Sequence, residues 1–160
     1  MSGAACAETI QILALGASNT YAQAVSASQA WPAKLESMLR AKGYDVNVTV
    51  KGVSVGDANM IAEAASSIPS GTRVVVYDIG GGNSADRGVD PSAARSRIER
   101  EIRAHGAKPV FAAYRSILGP EGSGNPNWIQ GDAHHHFTAT AHTRVAASLL
   151  PRVVVAMGKR

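Results

Sequence analysis

Apolar positions along the chain fall into two alternating rhythms. Ile10–Leu15 is a short apolar run ending at Gly16, the pattern of a buried strand. Val46, Val48 and Val50 alternate within Asp45–Val50, which predicts a second strand. Thr72–Ile79 predicts a third, stopped by Gly80-Gly81-Gly82, and Pro109–Ala113 a fourth. Between these runs the period lengthens. Trp31, Leu35, Met38 and Leu39 recur at helical spacing over Ser28–Lys42, with Ser28 as N-cap and Gly43 as the stop. Asp57–Ser67 is Ala-rich and predicts a helix closed by Pro69-Ser70-Gly71, and Pro91–His105 is amphipathic and ends at Gly106. Thr138–Met157 predicts a last helix, kinked or restarted near Pro151. Tyr114–Gly131 is rich in Gly, Pro, Ser and Asn and predicts a long loop, a kind that often carries function.

Strands alternating with helices in this order predict one domain over residues 1–160, a three-layer α/β/α sandwich with a mainly parallel, flavodoxin-like sheet. Such sheets bind ligands beyond the carboxyl ends of their strands. The residues to watch are therefore Gly16-Ala17-Ser18-Asn19, Gly52–Asp57 and Gly80–Asn83.

Composition narrows the picture modestly. Hydrophobic residues make up 45% of the 160, but aromatics only 5%, so small aliphatic side chains fill the core. The net charge of +4 is scattered. Its densest group, Arg95, Arg97, Arg100 and Arg103, alternates with Glu99 and Glu101, the pattern of a solvated helix face rather than a nucleic-acid site. The single cysteine, Cys6, has no internal partner for a disulfide, and no apolar run approaches the roughly 20 residues of a membrane span. Residues 1–8 read as a flexible start. Ala4-Ala5-Cys6-Ala7-Glu8 resembles the tail of a signal-peptide cleavage region, which predicts a periplasmic or secreted protein, with the cytoplasm as the alternative.

Ser18 follows the first strand, at the turn into the next segment. A hydroxyl presented at a strand-to-helix turn, with helix N-terminal N–H groups nearby, suits acyl transfer. Such a serine needs a base, and the base needs an orienting carboxylate. Asp132 and the run His134-His135-His136 lie just before the last helix and offer both. Further metal ligands at spaced positions are not evident, so no metal or other cofactor is expected. A phosphate loop of the G-x-x-x-x-G-K-[ST] kind is missing, which argues against a nucleotide binder.

Four short blocks, in order, carry a resemblance. Gly16-Ala17-Ser18-Asn19 resembles the first block of SGNH (GDSL-like) hydrolases, usually G-D-S-L after a strand. Ser28–Leu35 is similar to the Trp-Pro-x-x-Leu helix of their bacterial arylesterase/thioesterase I branch. Gly52–Asp57 resembles the second block, Gly81-Gly82-Asn83 the third, and His136-Phe137-Thr138 the last. The resemblance implies that Ser18 attacks an ester carbonyl of a small-molecule substrate, with a small or medium acyl group, or a thioester. It also implies that a histidine oriented by Asp132 shuttles the proton. The N–H groups of Ser18 and Gly56 and the Asn83 amide would form the oxyanion hole. Two departures bear on the supporting structure: the first-block Asp is Ala17, and the residue after Asn83 is Ser84 rather than Asp. Counting forward from Asp132 selects His135 as base, whereas counting back from a helix cap at Thr138 selects His136. The cap belongs to a long helix that fixes side-chain direction, so His136 is preferred. The competing reading is a non-catalytic module of the same fold that binds acylated or sugar ligands. The oligomeric state is open.

Overall fold

Alternation along the strands decides which layer each side chain enters. The structure, a computed structural model, describes residues 8–158. The cleavage-like run and Cys6 lie outside them, Glu8 apart. Four strands, β1 (Ile10–Gly16), β2 (Val46–Gly52), β3 (Thr72–Tyr77) and β4 (Lys108–Phe111), form a parallel sheet in the order β2-β1-β3-β4. Ile12 and Ala14 of β1, with Val74 and Val76 of β3, face one layer; Leu13, Leu15, Val75 and Tyr77 face the other. β1 and β3 are central and buried on both faces, which is why they read as apolar runs.

Two helices cover the first face. These are α1 (Trp31–Ala41), through Trp31, Leu35 and Leu39, and α6 (Ala139–Met157), through Val145, Leu149 and Val153. The second face is covered by α2 (Ala58–Ala64), through Ile61 and Ala62, and α4 (Pro91–Ala104), through Ile98 and Ile102. The expected three-layer sandwich is therefore what the chain forms. Arg97, Arg100 and Arg103 of α4 lie exposed, as the charge pattern predicts, whereas Arg95 reaches the Tyr77 hydroxyl at 3.2 Å and lies over the Phe111 ring.

Several boundaries differ from expectation. Helix α1 starts at Trp31, with Pro32 in its first turn; Ser28 sits in a 3-10 turn, Ala27–Gln29, capped by Ser26. Helix α6 runs unbroken through Pro151, because one lost backbone donor is outweighed by the packing of Val145, Leu149 and Val153 on either side. The stretch expected as one loop begins with a short helix, α5 (Tyr114–Leu118), and Trp128 pairs with Phe137 in an antiparallel bridge. A short helix after β3, α3 (Gly81–Asp86), was hidden by the glycine triplet that begins it.

β4 is a border of the sheet. The Ala112 N–H points inward, to the Tyr77 carbonyl at 2.8 Å, so by strand alternation Pro109 and Phe111 face outward. Pro109 has no N–H to offer there, and Arg152 of α6 donates to the Phe111 carbonyl at 2.7 Å.

Candidate active site

The chain leaves β1 for β2 on one side and β3 on the other, so the switch point lies between β1 and β3. The carboxyl ends of these strands open onto a cavity of about 230 Å³. Ser18, Asn83, Tyr114, Trp128, His135 and Phe137 are among its lining residues.

Ser18 follows β1 in a series of turns, not at the start of a helix as expected. Thr20 N–H donates to the Ala17 carbonyl at 2.8 Å and Gln23 N–H to the Ser18 carbonyl at 3.2 Å. Neither the Ser18 hydroxyl nor its N–H is engaged by another described residue.

Asp132 is a hub for the residues after it. Its Oδ1 accepts the His134 N–H at 2.9 Å. Its Oδ2 accepts the His136 N–H at 3.2 Å and lies 2.7 Å from His136 Nδ1. Burial raises the Asp132 pKa, but these hydrogen bonds and the facing imidazole outweigh it and hold the carboxyl below its ordinary value. His136 is only 6% exposed, and its Nε2 is buried without a hydrogen-bond partner among the described residues. His135 takes a different path. Its backbone is left-handed at φ 59°, and its ring pairs with Glu121 and packs over Gly82. The backbone thus turns aside at His135, so that the two candidate bases point to different partners.

Asn19 joins the two segments. Its amide nitrogen donates to the His135 carbonyl at 3.0 Å, and its amide oxygen accepts the Phe137 N–H at 3.0 Å. The residue after Ser18 therefore grips the backbone on both sides of His136. Thr138 caps α6 by accepting the Ala141 N–H at 3.2 Å.

Asn83 lies in α3, its amide donating to the Gly56 carbonyl at 2.9 Å with its second hydrogen unengaged. The Gly56 N–H turns into its own loop, to the Val53 carbonyl at 3.0 Å. That loop carries Val55 at φ 48°, a strained position for a β-branched residue. Ser84 replaces the expected Asp with two bonds of its own: it donates to the Ile79 carbonyl and accepts the Ala58 N–H, each at 2.9 Å.

Sequence reasoning missed Asp78, Thr20 and Tyr114, which lie together behind Ser18. Asp78 Oδ2 accepts from Ala17 N–H at 3.1 Å, Thr20 Oγ1 at 2.5 Å and the Tyr114 hydroxyl at 3.3 Å. Its Oδ1 accepts the Gly80 N–H at 2.6 Å. The one signal was a lone carboxylate closing an otherwise apolar strand pattern. Among the described residues, no group of three or more His, Cys, Asp or Glu side chains is placed to hold a metal ion, and no helix is long and apolar enough to cross a membrane.

No protein-family model matches the sequence, and no curated protein matches it. Solved structures do. TesA superposes with a TM-score of 0.73 at 20% identity, over 91% of this chain and 99% of that one. The psychrotrophic esterase EstA from Pseudoalteromonas sp., inhibited by monoethylphosphonate, gives 0.69 at 12% identity, over 93% and 99%. AlinE4, an SGNH-hydrolase family esterase, gives 0.56 at 21% identity, over 97% and 100%. At these identities the likeness establishes the fold, the α/β sandwich of SGNH hydrolases.

Proposed function

We propose that the chain is a serine esterase of the SGNH hydrolase type, acting on carboxylic esters or thioesters of small or medium acyl groups through an acyl-enzyme on Ser18. One observation carries this reading above the fold. His136 has Nδ1 on the Asp132 carboxylate and a buried, unpartnered Nε2, and Asn19 ties its backbone to the residue following Ser18. With Nδ1 turned to the carboxylate, Nε2 is the nitrogen left to take a proton from the nucleophile. His135, occupied by Glu121, is not so placed.

In the proposed reaction, Ser18 Oγ attacks the ester carbonyl carbon while its proton passes to His136 Nε2. The tetrahedral oxyanion is met by the Ser18 N–H and the second hydrogen of the Asn83 amide; Gly56 contributes only once its N–H leaves Val53. Collapse expels the alcohol, which takes the proton from His136. Water then repeats the sequence on the acyl-enzyme, releasing the acid and free Ser18. Asp132 remains ionised and orients the imidazole throughout. The cavity of about 230 Å³ accommodates a short acyl chain. The cleavage-like N-terminal run supports a periplasmic or secreted location.

A fluorophosphonate probe is expected to label Ser18, located by mass spectrometry, with no label on Ser18→Ala. Turnover of a p-nitrophenyl ester of a short acid is expected to vanish in Ser18→Ala and His136→Ala and to persist in His135→Ala. Loss in His135→Ala with activity kept in His136→Ala would reverse the assignment of the base. An unlabelled wild-type chain would favour the binding module instead.

A further inference from the structure

Asp78 is a buried carboxylate that the proposed reaction does not use, yet it touches both halves of the site. We propose that Asp78 is the positioning residue that fixes the Ser18 turn against the oxyanion segment, one carboxylate oxygen holding the Ala17 N–H and Thr20 hydroxyl and the other the Gly80 N–H. The inference rests on the reading of Ser18 as nucleophile and goes beyond it, since Asp78 takes no part in the proposed reaction.

The geometry leaves Asp78 little freedom. It is 3% exposed, and any Cβ at Gly16 would collide with its carboxylate and with the Thr20 hydroxyl. Glycine at this position is what lets the side chain come so close to β1. Gly80, held by Oδ1, is left-handed at φ 55° and starts α3, the helix that carries Asn83. The orientation of the Ser18 peptide is set by the Ala17 N–H on one side and by Thr20 on the other. Both end on Oδ2. Tyr114, which accepts from the Trp31 indole at 2.9 Å, extends the same network to α5 and α1. The carboxylate therefore sets the spacing between nucleophile and oxyanion donors, a spacing in which an error of about 1 Å costs on the order of 10²-fold in rate. Ala17, which stands where the resembled family carries an acid, gives its N–H to an acid at the end of the neighbouring strand. Burial raises the Asp78 pKa, and its four donors oppose that rise.

The test uses the full chain and the short p-nitrophenyl ester. Asp78→Asn keeps the shape but sets an N–H against one of the N–H groups it must accept, and kcat is expected to fall about 10²-fold with KM within about twofold. Thr20→Val should lower kcat roughly tenfold, the worth of one such hydrogen bond, and Thr20→Ser should restore it. In an Asp78→Asn background, Thr20→Val should add little, because Thr20 acts through the carboxylate. Independently of turnover, the amide protons of Ala17 and Gly80 should lie downfield in the ¹⁵N-correlated spectrum and both move upfield in Asp78→Asn. Unchanged kcat in Asp78→Asn, or multiplicative losses in the double variant, would overturn the proposal. If the wild type neither turns over nor takes the fluorophosphonate label, the esterase reading has failed. The amide shifts then decide the clamp alone: movement of both supports it, and movement of neither refutes it.

Discussion

Asn19 is next to Ser18 in the chain and next to His136 in space, and its partners lie 116 and 118 positions away. Nothing in the sequence pairs it with them. Ser18, Asp132 and a histidine were legible because a hydroxyl, a carboxylate and an imidazole announce their chemistry by type, whereas an amide that only holds backbone in place does not. That His136 meets Asp132 while His135 turns to Glu121 needed the backbone, since a left-handed residue is invisible in a run of three identical side chains. Asn19→Leu removes both grips at no great cost in volume. It is expected to lower kcat by about 10²-fold and slow fluorophosphonate labelling similarly, with KM little changed. Steady-state kinetics beside the labelling rate check this. Unimpaired labelling would show that α6 and Asp132 place His136 without help.

Elements were easiest to read where hydrophobic period and capping agreed. Helix α4 begins at Pro91 behind an Asp90 cap and ends beside Gly106, close to its expected bounds. Reading failed where glycine or a polar stretch conceals an ordered element. Helix α3 follows three glycines, and α5 begins a stretch whose composition signals loop. Ser84 shows how such an element is anchored without an apolar face. Buried to 2% exposure, it bonds the start of α2 to the segment that follows β3. Ser84→Ala leaves the Ala58 N–H and the Ile79 carbonyl without it, at a cost of about 2 kcal/mol. The expected fall in Tm is about 4–8 °C by calorimetry. An unmoved Tm would mean that water replaces the hydroxyl.

For the molecule as a whole, strand order was legible only as a class, because a sequence shows which segments are strands but not which lie side by side. The site at the β1/β3 switch point follows from order β2-β1-β3-β4 and from nothing shorter. Stability as a function of pH is likewise a property of the packed whole. His142 of α6, 1% exposed, accepts the Trp31 N–H through Nδ1 at 3.1 Å and packs tilted against the Phe137 ring. Burial first, then the charges of Lys34 and His136, depress its pKa from 6.5 to about 4. The unfolded chain therefore takes up this proton before the folded one does. The contribution of His142 is present above about pH 6.5 and lost as pH falls toward 4, amounting to about 3 kcal/mol. Asp78, with its raised pKa, acts in the opposite sense, so the comparison must be made against a variant. His142→Asn keeps an acceptor for Trp31 and cannot titrate. Urea unfolding between pH 7 and pH 4 should show wild type losing about 3 kcal/mol more than this variant; parallel losses would count against a buried neutral His142.

At the β4 border, Pro109 and the Arg152–Phe111 bond have a consequence for the crowded solution in which any chain must live. A bare parallel strand is a template, and a passing unfolded copy can add itself there and recruit the next. Here one rung of the template has no donor and another is already taken, so the ladder cannot start. Pro109→Val with Arg152→Ala would supply both rungs. Concentrated samples of that double variant are expected to scatter light and bind thioflavin T on warming well before wild type does, although neither substituted residue lines the cavity. Solutions as clear as wild type would show that the flanking helices alone keep strangers off the sheet.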